Sequence, residues 1–216
     1  MRWRAFEYNG KVYPLSHLHP RTITYRQPAK GDSPERIYTV NVEFGLHCFT
    51  RGHSSEREPD PSLLYGDSRE HREFDFKRYE LSKLLPSIVK TLPDRKCFHT
   101  ERGNFFCVEM VDDRGTRVEY DIFFEASKSS KAGLNLFLQS AYIRDSLHTA
   151  NRPRRKPVRF FVILFNTLHC RPIKSPPQKE KAPTGGLFRN SAFESDLLVI
   201  PTLGWRPLLA GAVHGA

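Results

Sequence analysis

Long hydrophobic runs are missing from this sequence. Nowhere do about 18 apolar residues follow one another, so no membrane span is expected. The charged start, MRWRAFEYNG, is not followed by the apolar segment of a secretory signal, and the expectation is a cytoplasmic protein. Closely spaced cysteines are missing too. Cys48, Cys97, Cys107 and Cys170 are scattered, with no Cys-x-x-Cys, which argues against a disulfide framework and for free thiols in a reducing compartment. A zinc site drawing on Cys48, Cys97 and Cys107 with His47 or His99 lacks finger-like spacing, so no metal or other cofactor is expected. Also absent are a phosphate loop, a dinucleotide fingerprint, a nucleophile elbow and His-Glu-x-x-His. No short motif therefore announces an enzyme class.

What is present is the composition of a folded protein with a strong charge bias. Of 216 residues, 38% are hydrophobic and 12% aromatic, enough for one sizeable core, while 27% charged residues and 16 prolines imply exposed loops around it. The net charge of +10 and pI near 9.6 favour an acidic partner, because Lys and Arg that neutralise phosphates release counterions.

Along the chain, Asn9-Gly10 between aromatic and β-branched runs predicts a hairpin. Thr22–Tyr25 reads as a strand, and Ile37–Thr50, with Tyr38, Val40, Val42 and Phe44 in alternation, as a better one. Gly45 is expected to bend or bulge it. Residues 1–52 thus read as a small N-terminal β unit, and 53–72 as a polar loop or linker. The histidines and acids of that linker (His53, Glu56, Glu58, Asp60, His71) are better explained as a solvated loop than as a metal cluster. Asp75 fits as the N-cap of a helix whose Leu81, Leu84, Leu85, Ile88 and Leu92 form one apolar stripe, with Pro86 breaking it and opening a second short helix. Four strands are expected next. They are 104–111 and 116–125, joined by a tight turn at Asp112–Gly115, then 134–143, then the apolar run Val158–Asn166 as the central strand, covered on both faces. The fold class is α+β: a helical segment followed by a four-stranded, mainly antiparallel sheet, with the core over 73–174. Residues 175–216 read as a flexible linker and an apolar tail.

The chemistry rests on constellations. Lys96, His99, Glu101 and Arg102 precede the first core strand. Ser140, Tyr142, Arg144 and His148 close the third, and Asn166, Thr167, His169 and Arg171 close the fourth. Cleaving RNA without a metal needs a proton donor or acceptor and cations beside the phosphorane; His99 or His169 with Arg102 or Arg144 supplies both. Lys128 and Lys131 lie in the loop between the second and third strands. Arg152, Arg154, Arg155 and Lys156 form a basic run that either grips phosphates or keeps a hydrophobic hairpin soluble.

The helix-plus-four-strand order over about residues 73–172, the basic balance and the polar residues on the sheet resemble the barnase, EndoU, colicin and RelE-like superfamily of small ribonucleases, toxin and prophage-borne members included. The segments Tyr120-Asp-Ile-Phe-Phe-Glu, Gln139-Ser-Ala-Tyr-Ile-Arg-Asp and Phe165-Asn-Thr-Leu-His are similar to uncharacterised bacterial proteins of mobile elements. The expected function is nucleic-acid binding, RNA before DNA, with metal-independent endoribonuclease activity as its catalytic form. The alternatives are a non-catalytic regulatory or binding module that engages nucleic acid or an acidic protein, and a structural or assembly protein of a mobile element.

Overall fold

Asn9 and Gly10 take φ values of +49° and +73°, the left-handed pair that a two-residue hairpin turn needs, and they fold β1 (Phe6–Tyr8) onto β2 (Lys11–Tyr13). The computed structural model describes residues 2–52, 58–66, 70–100, 103–113, 115–130, 133–143 and 155–174. After the hairpin come β3 (Arg21–Gln27), β4 (Arg36–His47), β5 (Thr50–Arg51), β6 (Leu64–Gly66) and β7 (His71–Phe74). Two short helices follow, α1 (Phe76–Ser82) and α2 (Leu85–Lys90). The Asp75 carboxylate accepts from the Arg78 N–H at 2.9 Å, satisfying one of the first-turn amides of α1, and Pro86 lies in the first turn of α2, where its missing N–H costs nothing. Then come β8 (Cys97–His99), β9 (Phe105–Asp113), β10 (Thr116–Lys128), β11 (Leu134–Ile143), β12 (Lys156–Val158) and α3 (Phe160–Leu168).

One sheet of seven strands organises these pieces, in the order β12-β8-β9-β10-β11-β4-β3. Three of the four expected strands are present as β9, β10 and β11; β3 and β4, expected in a separate front unit, form one edge of this same sheet, and the short strands β8 and β12 form the other. β4 runs parallel to β11, with Leu136 opposite Val42, and every other pairing in the sheet is antiparallel. Strand alternation puts Tyr38, Val40, Val42, Phe44, Phe105, Cys107, Tyr120, Ile122, Phe124, Leu134, Leu136 and Leu138 on one face, all of them buried. A smaller sheet, β5-β7-β6, stands beside it around Trp3, Phe49, Tyr65 and Phe74. Within the stretch expected as linker, residues 58–66 and 70–72 therefore carry ordered structure, including the turn Pro61–Leu63 that Asp60 caps through the Ser62 N–H.

The apolar run expected as the central strand is a helix. Val158 ends the short edge strand β12, and from Phe160 onward the chain winds, so that Phe160, Ile163 and Leu164 reach the core while Val162 stays 41% exposed. Spacings of three and four residues put those buried side chains on one helical face. Phe160 rests against Tyr25 and Phe124 at ring distances of 5.0 and 6.3 Å. The helix covers the apolar face of the sheet; it does not lie within it. Among the described residues no helix is long and apolar enough to cross a membrane. The linker and tail expected over 175–216 lie outside the described residues.

Candidate functional site

His99 ends β8 at one rim of the large sheet, 7% exposed, on the strand face that α3 covers. A cleft of about 440 Å³ opens there, lined by His99, Gly103, Asn104, Phe105, Arg171 and Ala126 among others. Local chemistry shapes its walls. Gly103 takes φ +84°, a value that favours glycine. The Thr100 hydroxyl donates to the Asn104 carbonyl at 2.9 Å, closing the loop that returns the chain into β9.

Cations gather on this rim. Lys156 is the direct partner of His99 across the β12–β8 ladder, so its side chain leaves the sheet on the same face. Lys128 lies two residues beyond Ala126 on β10 and, by alternation, on Ala126's face. Arg171 arrives from the turn after α3. That turn is built around Phe165, with the Arg36 guanidinium 4.8 Å and the Arg171 guanidinium 5.6 Å from its ring centroid, distances at which cation–π attraction operates.

Of the sequence-derived site residues, the structure thus brings His99, Lys156 and Lys128 to one rim. His169 has a different position. Its Nδ1 meets the Phe165 carbonyl at 2.8 Å and its ring lies 4.3 Å from that of Phe165, an arrangement that caps the exposed C-terminus of α3; it does not line the His99 cleft. Arg155 points the other way, toward the opposite face, where it pairs with Glu119 and lies over Phe98. Arg102, Lys131, Arg144, Arg152 and Arg154 lie outside the described residues. Sequence reasoning passed over Arg36, and nothing local marks it, since it reaches Phe165 only because β4 and α3 share the core.

A second, larger cleft of about 890 Å³ opens on the opposite face, where β4 and β11 run parallel. Its rim carries His47 and Glu70, with Nε2 and Oε2 2.9 Å apart. Arg72 holds the other carboxylate oxygen at 2.7 Å and donates through Nε to the Thr50 hydroxyl. Hydrogen bonds from His47 and Arg72 keep the Glu70 carboxyl below its ordinary pKa. The β11 strand carries a bulge here. Leu138 pairs with Phe44 and Ser140 with His47, which leaves Gln139 out of register with both neighbouring strands. Two consecutive residues, Gln139 and Ser140, consequently line the same cleft.

Cys48, Cys97 and Cys107 are buried free thiols and Cys170 is an exposed one. Burial pushes the Cys48 and Cys107 thiols up to about 12. Among the described residues no group of three or more His, Cys, Asp or Glu side chains could hold a metal ion.

Comparison with known proteins returns one family model, described as the YjaZ family, matching residues 5–168. No curated protein and no solved structure matches.

Proposed function

The chain belongs to the YjaZ family, and for this member we propose nucleic-acid binding, with RNA as the ligand class and the rim of the His99 cleft as the place where phosphates are held. The single observation that carries the reading is the sheet register. It sets Lys156 directly beside His99, while Arg171 lines the same cleft and Lys128 extends the same face of β10. Guanidinium and ammonium groups at one rim attract a phosphate chain and release its counterions on contact. The net charge of +10 adds a long-range field of the same sign.

Cleavage is the second reading, favoured by His99 and Arg171 lining one cleft. An imidazole there transfers the proton of a 2′-hydroxyl, and a guanidinium beside it stabilises the charge that develops on the phosphorane.

The test is fluorescence anisotropy with a labelled single-stranded RNA over a salt series. Wild-type affinity should fall steeply with salt. Lys128→Ala, Lys156→Ala and Arg171→Ala combined should weaken binding at least tenfold and flatten the salt slope by about 2, as expected when three single-strand phosphate contacts are removed. Unchanged affinity in the triple variant overturns the reading, and equal competition by polyglutamate would put an acidic polypeptide in the place of RNA. For cleavage, RNA incubated in chelator should be cut by wild type and left intact by a folded His99→Ala variant; intact RNA with wild type removes the catalytic reading and leaves binding in place.

A further inference from the structure

The larger cleft contains a nucleophile, a base and an acid on adjoining elements. We propose that Ser140 is a catalytic nucleophile, His47 its general base and Glu70 the group that orients the imidazole, in a site that hydrolyses carboxylic esters of apolar acyl groups. The proposal is independent of RNA binding, because it uses the opposite face of the sheet.

The backbone brings the first two groups together. Ser140 and His47 are direct register partners across the parallel β11–β4 pair, strands run about 4.8 Å apart, and both side chains line the cleft. The register thus sets Ser140 and His47 side by side on the wall of the cleft. This placement depends on the bulge, since without the extra residue a one-position slip would send Ser140 to the other face. It depends also on Gly45, where a β-carbon would stand 2.8 Å from the Gln139 carbonyl oxygen and 3.0 Å from that of Leu138.

Glu70 completes the set. Its carboxylate is clamped between Arg72 and His47 at 2.7 and 2.9 Å, so the imidazole nitrogen engaged is Nε2 and the one left to serve the hydroxyl is Nδ1. The order of ring nitrogens is the reverse of that in the chymotrypsin triad, and the division of labour among the three groups is the same. Trp3, Phe44 and Phe137 supply apolar wall, with Phe137 40% exposed although its ring lines the cleft. An acyl chain laid there would cover it.

The chemistry balances without a co-reactant other than water. Ser140 Oγ bonds to the ester carbonyl carbon while its proton passes to His47 Nδ1. The tetrahedral intermediate collapses, the bond to the alcohol oxygen breaks, and that oxygen takes the proton from Nδ1. Water then attacks the acyl-serine by the same route, giving the free acid and restoring the hydroxyl.

Wild-type full-length protein is treated with a fluorophosphonate probe and the adduct mapped by peptide mass spectrometry, and hydrolysis of 4-nitrophenyl butyrate is followed in parallel. The expected result is one adduct, on Ser140, lost in Ser140→Ala and in His47→Ala. Ester hydrolysis should fall at least 100-fold in those two variants and at least tenfold in Glu70→Gln, with thermal melts close to wild type. An unlabelled Ser140 in folded wild-type protein, an adduct on another residue, or undiminished hydrolysis by Ser140→Ala each overturns the proposal. The mapping needs no variant, so a substitution that misfolds leaves the proposal equally exposed to failure.

Discussion

Gly45 stands where two strands approach too closely for a side chain. A β-carbon there would meet two backbone oxygens of β11 at 2.8 and 3.0 Å and the Phe137 ring at 3.0 Å, and the backbone oxygens cannot swing aside as a side chain could. Gly45→Ala is expected to destabilise the protein by about 1–3 kcal/mol, the usual cost of forcing a group into filled space, read as a lower urea midpoint at unchanged slope. Glu70 carries a pH signature. Its folded-state pKa lies below the ordinary carboxylate value because His47 and Arg72 donate to it. The stability it contributes is therefore full above the unfolded pKa and is lost as pH falls through the folded one. Glu70→Gln should accordingly lower the melting temperature at neutral pH, with the gap to wild type closing below about pH 4. The effect should be small and salt-sensitive, since Glu70 and His47 are 45% and 41% exposed. Some single positions were plain from sequence: Asn9-Gly10 as a turn and Asp75 as a cap each act through atoms a few residues away. His47–Glu70 was hidden, since the two meet only after β5, β7 and β4 have assembled.

The helix α3 shows why an apolar run of this length does not declare its own secondary structure. VRFFVILFN has a composition that suits strands, and a short apolar run has no periodicity that separates a buried strand from a buried helix. What decides the matter is the surface available. Once β10, β11 and β4 present one apolar face, a helix with Phe160, Ile163 and Leu164 on one side covers it, and tertiary packing overrides local preference. Phe160→Ala should cost about 3–5 kcal/mol, as full truncation of a buried aromatic does, measured by chemical denaturation. The strands 105–113, 116–128 and 134–143 were close to legible because alternation and the turn between the first two are local signals. The parallel β4–β11 pairing was not, because it joins segments roughly ninety residues apart, and it is this pairing that builds the larger cleft. Thiol titration offers a check on the core it encloses. In native protein Cys170 should react with Ellman's reagent, and Cys48, Cys97 and Cys107 only on unfolding, since burial holds those three thiols well above their ordinary pKa.

For the molecule as a whole, the net charge of +10 sets up a long-range field that attracts acidic groups and carries no address on the surface. Several cations are held in ion pairs. Arg51 holds the buried Glu73 at 3.0 Å, Arg95 is paired with Glu109, and Arg155 with Glu119. Arg155 and Lys156 are neighbours in a basic run that sequence alone treats as one patch, yet strand geometry sends them to opposite faces, Arg155 to the Phe98 side and Lys156 to the His99 side. This gives a contrast that bulk charge cannot imitate. If RNA lies along the His99 rim, Lys156→Ala should weaken binding several-fold and flatten its salt dependence by about 0.7, one single-strand phosphate contact's share. Arg155→Ala, which removes the same charge one residue away, should leave both nearly unchanged and act instead on stability through the loss of the Glu119 pair. Anisotropy measured at two salt concentrations on both variants separates the outcomes: equal losses would mean that only net charge matters, and a larger loss in Arg155→Ala would move the nucleic acid to the other face of the sheet.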